Sequence, residues 1–519
     1  MTGTAGADHR TSVVIIGGGY AGMIASNRLL GSLTSEERAR VRVTIINPTD
    51  RFIHRIRLHE QAAGITDASL DLRSMLHPQC EVLLGRAERI DSAGHLVHVR
   101  TPAEPEQVKY DWLIYAVGSR SSSAVRGVRE FAVSVGDIEG ARRIAGRLAD
   151  DRIGTVCVVG GGPAGVETAA ELAEAHPDTR VTLLAGHQLL GGMRPAARRS
   201  IRRRLQRLGV EVTEGARVTE VTAGGVTVAG RAVMPFDLVV WSAGFEVPDL
   251  AERSGLPVDP DGRLLVDDTL TCVSVPNILG AGDAVKAPDT VGQHLPMGAR
   301  TALPLGGAAT DSLLARLHGV MPRPISIGLL GPSISLGRRD GYIQFARRSD
   351  APTMIAFTGI LGSAIKTWVC RMTLETPRKE RTSPGAYRVP RGPRPLRQVS
   401  HAARAGASSR ALFDHPYPEP RRRNAEPSPV RPGDTLLLDA SMTGLDASCW
   451  AIVDQVEYEG NPSELPWNAG PSYPYRVGYR VLNKQSTHST VLRLGTVWLD
   501  AAGRDPSNGI ERIRRLAGS

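Results

Sequence analysis

At 519 residues, 41% hydrophobic and 22% charged, the chain is long enough for about two to four domains and apolar enough to bury a core in most of them. The formal net charge of +10 invites a nucleic-acid reading, but residues 376–433 carry 13 Arg and Lys against 4 Asp and Glu, so nearly the whole excess sits in one tether and a basic catalytic body is not indicated. Five dispersed cysteines (Cys80, Cys157, Cys272, Cys370, Cys449), with no CxxC and no metal-type spacing, argue for a reducing cytoplasm and against a disulfide framework, a dithiol centre or a metal site.

No apolar run reaches the length of a membrane span, and MTGTAGADHR lacks the apolar centre of a signal peptide, so neither is expected. From residue 11 to about 370, short apolar runs alternate with helix-like stretches. SVVIIG, VRVTII, DWLIYAVG, GTVCVVGG, RVTLLAG, FDLVVWSAG and VPNILGAGD read as buried strands of parallel sheets. After the first, Gly17, Gly19 and Gly22 form G-x-G-x-x-G. The strand delivers the chain to a tight turn at Gly17, Gly19 lets backbone approach a pyrophosphate, and Gly22 lets a helix pack close to the strand. The next strand ends at Asn47, where an acid usually holds a ribose hydroxyl and where an amide can serve the same hydroxyls.

The pattern then repeats. Gly160, Gly162 and Gly165 follow Thr155–Val159, with Pro163 and Ala164 between. The following strand ends in Ala185-Gly186 without a carboxylate, which leaves both NADH and NADPH open as ligands; Arg194, Arg198 and Arg199 lie downstream. Two cradles in one chain suit a tightly held flavin dinucleotide and a transient nicotinamide dinucleotide, the cofactor carrying the chemistry and the protein orienting it. Glu167, two residues past the last glycine, falls in the first helical turn. Beyond this body, residues 376–433 hold eleven prolines and read as an extended basic linker, and DTLLLDAS, CWAIVDQVEYEG, YRVGYRVLN and STVLRLGTVWLD read as strands of a small β-rich domain over 434–519.

These motifs together resemble the FAD-dependent pyridine nucleotide–disulfide oxidoreductase superfamily. YDWLIYAVGSR (Tyr110–Arg120) and FDLVVWSAGFEVP (Phe236–Pro248) look like its two crossover turns, and TCVSVPNILGAGDAV (Thr271–Val285) like its second flavin motif. RFIHRIRLHEQAAG (Arg51–Gly64) is similar to the type II NADH dehydrogenase and apoptosis-inducing-factor-like branch. No cysteine lies between Met1 and Gln79, which separates the chain from the disulfide reductases. The resemblance implies an α/β protein with two Rossmann-like domains of the glutathione-reductase type: flavin-binding parts at 11–150 and 261–345, a nicotinamide-binding part at 151–260, and a covering or membrane-associating segment at 346–375.

For cofactor binding it adds Tyr20, Ala21, Arg55, Ala87, Gly118, Gly244, Gly282, Asp283, Met297 and Gly298 to the glycines, Pro163, Ala164 and Asn47. Asp283 would hold the ribityl chain, and the helix start at 297–300 would face the flavin. Glu167 and His59 are the catalytic candidates, Glu167 beside the nicotinamide and His59 as a proton relay. The implied reaction is an FAD-dependent NAD(P)H dehydrogenase: hydride from NADH or NADPH to flavin N5, then electrons to a quinone or quinone-like acceptor. At the position that aligns with the branch's quinone-side glutamine stands Ala299, with Gln293 and His294 just upstream. That departure keeps two alternatives open: a ferredoxin-type reductase or biosynthetic tailoring flavoenzyme, and a flavin-containing redox sensor or scaffold working through the C-terminal extension. Thr353–Cys370 is read either as a helix covering the flavin domain or as a peripheral contact with the cytoplasmic membrane face. A homodimer is left open, and nucleic acid is disfavoured because the basic tether lacks interleaved aromatics.

Overall fold

In the computed structural model the described residues are 10–392, apart from 151, 231–232, 293–294, 330 and 349–350, together with the backbone of five strands farther on. The continuous apolar runs become central parallel strands because both of their faces are covered. β1 (Thr11–Ile16) leads through the first glycine turn into α1 (Tyr20–Ser32), followed by β2 (Val41–Asn47), the short helix α2 (Leu58–Ala62), β3 (Cys80–Leu84) and β4 (Trp112–Tyr115). In the second unit the chain runs β5 (Ala132–Ser134), α3 (Ile138–Leu148), β6 (Thr155–Val159), α4 (Pro163–Ala175), β7 (Arg180–Ala185), α5 (Pro195–Arg207), β8 (Glu211–Glu214) and β9 (Leu238–Trp241). It then returns to the first sheet as β10 (Ile278–Gly280) and α6 (Ala299–Leu317).

The flavin-side sheet is ordered β10-β4-β1-β2-β3 and the donor-side sheet β5-β9-β6-β7-β8, with every neighbouring pair parallel. The two crossovers between them, Arg120–Ser121 and Phe245–Glu246, pair with each other as antiparallel strands. α1 and α6 lie against each other closely enough that a Cβ on Gly306 would come within 2.5 Å of the Ala21 carbonyl. This is why a helix otherwise rich in good formers keeps glycine there, at a propensity cost of about 1 kcal/mol. α2 belongs to the first domain in sequence but not in packing: Leu58, Ala62 and Ala63 are buried in the same core as Ile144 of α3 and Val166 and Ala170 of α4.

The chain continues into an antiparallel sheet of β11 (Ser333–Ser335), β12 (Gly341–Ala346) and β13 (Pro352–Thr358), then α7 (Gly359–Lys379). The segment read as one cover or membrane helix over Thr353–Cys370 is therefore strand first and helix second. A linker from residue 376 is also corrected. α7 runs through Pro377, whose carbonyl accepts from Asn27 Nδ2 at 3.0 Å, and Glu380 is 0% exposed. The Glu380 carboxylate accepts from the Gly385 and Tyr387 amides at 2.9 and 2.6 Å, and Gly392 N donates to Ser326 O. The prolines here shape a packed turn on α1, and one buried acid organises it; composition alone does not distinguish that from a tether. Residues 393–433 lie outside the described residues. In the separate C-terminal unit, Thr435–Leu438, Cys449–Tyr458, Tyr475–Asn483, Thr490–Leu499 and Ile513–Arg515 form one antiparallel sheet.

Candidate active site

Both glycine turns have the geometry that phosphate binding needs. Gly17 sits at φ 109° and Gly160 at φ 136°, where L side chains are strained. A Cβ on Gly22 would lie 1.9 Å from the Gly17 carbonyl, and one on Gly165 the same distance from the Gly160 carbonyl. Gly19 and Gly162 precede the first turns of α1 and α4 with open space beside them, so phosphate oxygens can reach the free amides there. Pro163 occupies the first position of α4, where its missing N–H costs nothing, and Ala164 O accepts from Thr168 Oγ1.

Asn47 Oδ1 accepts from Gly18 N at 2.9 Å and its Nδ2 donates to Thr49 O, so the amide ties the end of β2 to the first turn. Ala87 is half-buried and packs against the flavin-side core, as does Met297.

At the far end of the flavin-side cleft, Asp283 accepts from Gly298 N at 2.7 Å and from Ser119 Oγ at 2.6 Å, and Ser119 O accepts from Arg55 at 2.8 Å. Gly118, Gly244, Gly282 and Gly298 all hold positive φ. A cavity of about 110 Å³ opens between Asp283, Gly282, Met297 and Thr301, and the buried Thr301 hydroxyl has no partner among the described residues. An unpartnered hydroxyl and a carboxylate facing one cavity are what a polyol chain would satisfy, so these residues fit a flavin dinucleotide.

Tyr20 packs edge-on to Phe52, with its hydroxyl 2.9 Å from His54 Nδ1. Burial pushes the Tyr20 hydroxyl up and the His54 imidazole down to about 4, so both are neutral. Ala21 is buried against Gly282. Gln293 and His294 lie outside the described residues, and Ala299, with no amide, begins α6.

The two catalytic candidates sit in one buried cluster. Glu167 Oε1 accepts from Lys366 Nζ at 2.7 Å and from Ser335 N at 3.0 Å, and Lys366 also donates to Ser333 O. Burial alone would raise the Glu167 carboxyl, but Lys366, helped by the Ser335 amide, pulls it below its ordinary value, while Glu167 holds the buried Lys366 ammonium charged. Neither charge has water to fall back on, which makes the pair interdependent.

His59 is 4% exposed, not part of a surface basic stretch. Burial lowers its pKa, opposed first by Glu167, and its Nε2 has no hydrogen-bond partner among the described residues. The expectation of a readily protonated relay is corrected accordingly: His59 is held neutral. Glu60 pairs with Arg57 and, at 3.1 Å, with Arg338. Glu171, one turn along from Glu167, accepts from Ser335 Oγ at 3.2 Å. The sequence reading missed Lys366, Glu171, Ser335 and Arg338. Two signals were there: a lone lysine inside an apolar stretch, and a second glutamate four residues after Glu167, which puts both on one face of the helix. The free thiols Cys80, Cys157 and Cys370 are buried and pushed up, the first two to about 12, so they are inert.

Burial pushes the Glu171 carboxyl up to about 7 from an ordinary 4.5, against the pull of Arg338 and with the added repulsion of Glu60 and Glu174. The folded chain therefore binds this proton more tightly than the unfolded one, and the group costs stability as pH rises from 4.5 towards 7. The Glu171→Gln variant should lose that slope, gaining roughly 2 kcal/mol at pH 8 relative to pH 5 when thermal unfolding of both proteins is compared. Parallel pH profiles would contradict the assignment.

Two sheets, each with a glycine cradle at the carboxyl ends of its strands, and a paired crossover between them define a two-dinucleotide oxidoreductase. The family model of the pyridine nucleotide-disulphide oxidoreductases matches residues 11–305, and the chain belongs to that family. It is 32% identical over 341 residues to the type II NADH:quinone oxidoreductase Ndh of Mycobacterium tuberculosis, spanning 57% of this chain and 72% of that one. It is 27% identical over 356 residues to the demethylphylloquinone reductase NdbB of Synechocystis, spanning 65% and 87%. Among solved structures it shares its fold with NDH2 of Plasmodium falciparum in complex with NADH, at a TM-score of 0.60 and 17% identity over 72% of this chain and 96% of that one.

Proposed function

We propose that the chain is an FAD-dependent NADH:quinone oxidoreductase. The carrying observation is the pair of cradles on two parallel sheets, in a chain 32% identical to a type II NADH:quinone oxidoreductase. Bound FAD supplies the two-electron carrier between donor and quinone. Gly17, Gly19 and Gly22 hold its pyrophosphate, and Asp283 and Thr301 its polyol chain. Gly160, Gly162 and Gly165 hold the donor. Glu167 lies at the start of the donor-binding helix, where it positions the nicotinamide end of the cleft. The Glu167–Lys366 pair, beside the neutral His59, keeps a proton and a fixed charge within the water-poor region between the domains.

The quinone reading is favoured over a protein acceptor by the surface around that pair. Met354 and Ile355 of β13 and Ile360, Leu361 and Trp368 of α7 are exposed; α7 carries Lys366, and β13 leads directly into α7. They support peripheral contact with a membrane, where an apolar acceptor is held. Among the described residues no helix is long and apolar enough to cross one.

The purified protein should be yellow, bleach anaerobically with NADH and recover its colour on addition of menadione. Absence of bound flavin, or no bleaching with either nicotinamide dinucleotide, rejects the reading. Recovery with ferredoxin but not with menadione would favour the ferredoxin-type alternative.

A further inference from the structure

The adenosine ribose of the donor reaches the end of the second strand of its fold, where an acid binds the 2′-hydroxyl and repels a 2′-phosphate. Here β7 ends at Ala185 and continues Gly186-His187-Gln188 without a carboxylate. The chain after β8 is tied to this turn: Ala216 N donates to Ala185 O at 2.9 Å and Gly215 N to His187 O at 3.3 Å. That register places Arg217 beside Gly186, whose Cβ, if present, would be 3.9 Å from Arg217 Cα. The Arg217 side chain is exposed and makes no ion pair among the described residues.

On the other side of the turn α5 brings in Arg198. Its Nη1 holds Gln188 Oε1, and its Nε is buried with no hydrogen-bond partner among the described residues. His187 is exposed at the tip. The carboxylate at the end of β8, Glu214, is already engaged, accepting from Leu189 N at 2.7 Å and pairing with Arg202 at 2.6 Å. The turn thus presents two guanidinium groups and an imidazole, and among the described residues no acid faces them uncompensated.

We propose that Arg217 and Arg198, with His187, form a binding site for a ribose 2′-phosphate, and that NADPH is a donor at least as efficient as NADH. This rests on reading the second cradle as the donor site. Guanidinium groups match phosphate oxygens with paired, charge-assisted hydrogen bonds, each worth about tenfold in affinity at an exposed site. The Gln188 contact holds the Arg198 guanidinium beside the turn.

The test is calorimetric titration of the full-length flavoprotein with 2′,5′-ADP and with 5′-AMP, alongside anaerobic flavin reduction by both donors. At low salt 2′,5′-ADP should bind about tenfold tighter or more, and the advantage should shrink as salt screens the contacts. Arg217→Ala should lower the ratio of kcat/KM for NADPH over NADH about tenfold, and Arg198→Ala by a similar factor. Arg207→Ala, an exposed charge farther along α5, should leave the ratio unchanged. Equal affinity for the two adenosine phosphates overturns the inference, as does an Arg217→Ala variant that slows both donors alike. Bleaching by NADH but not NADPH rejects this inference alone, whereas bleaching by neither rejects the donor-site reading beneath it.

Discussion

Replacing Gly22 with valine yields a colourless protein. The new Cβ would stand 1.9 Å from the Gly17 carbonyl, an overlap that no rotamer relieves because both atoms are set by backbone. α1 must move away from β1, and its first turn, starting at Gly19, moves off the phosphates it serves. Overpacking of this kind costs about 1–3 kcal/mol, enough to lower flavin affinity on the order of 100-fold. The visible flavin absorbance after gel filtration measures it. Gly165→Val makes the same overlap with the Gly160 carbonyl in the other sheet, so it should stay yellow and fail to bleach with the donor. A Gly165→Val protein that loses its flavin, or a Gly22→Val protein that keeps it, would exchange the roles of the two cradles.

The Lys366→Met variant should be the most destabilised of the single substitutions. It leaves Glu167 buried without its countercharge, a loss of about 3–5 kcal/mol and a fall in Tm of roughly 10 °C. The sign with pH follows from the carboxyl. Without Lys366 its pKa rises above the ordinary value, so the penalty is small in acid and grows as pH climbs through the carboxylate range. Adding Glu167→Gln in the same protein removes the stranded charge and should recover most of the loss, which a double-mutant cycle by thermal melts would quantify. Glu167→Gln alone should keep its flavin while flavin reduction slows about tenfold to 100-fold, as expected when a donor-positioning group is removed. Normal reduction in that variant would leave the glutamate a structural partner of Lys366.

The strand–turn–helix units were legible because their determinants are local. Four apolar residues, three glycines at fixed spacing and a helix start lie within about two dozen positions, and sterics at Gly17 and Gly22 allow few other conformations. The same holds for Asp283, which is presented by its own strand end. What joins Glu167 to Lys366 is 199 residues of intervening chain, and Ser335 arrives from a three-residue strand with no pattern of its own. His59 carries a basic neighbourhood in sequence, and only the packing of α2 against α3 and α4 turns it into a neutral, buried ring. The prolines of 376–392 misled for a related reason: whether proline marks a tether or a packed turn depends on contacts such as those of Glu380, hundreds of residues from Asn27 and Gly31.

One element has a mechanical consequence. α7 gives Lys366 to Glu167 in the donor-side domain and, three turns later, the Pro377 carbonyl to Asn27 in the flavin-side domain. A swivel of one domain against the other would have to break a buried ion pair at one end of this strut or strip hydrogen bonds at the other. Anchored at both ends, this strut opposes any change in the spacing of the donor and flavin cradles.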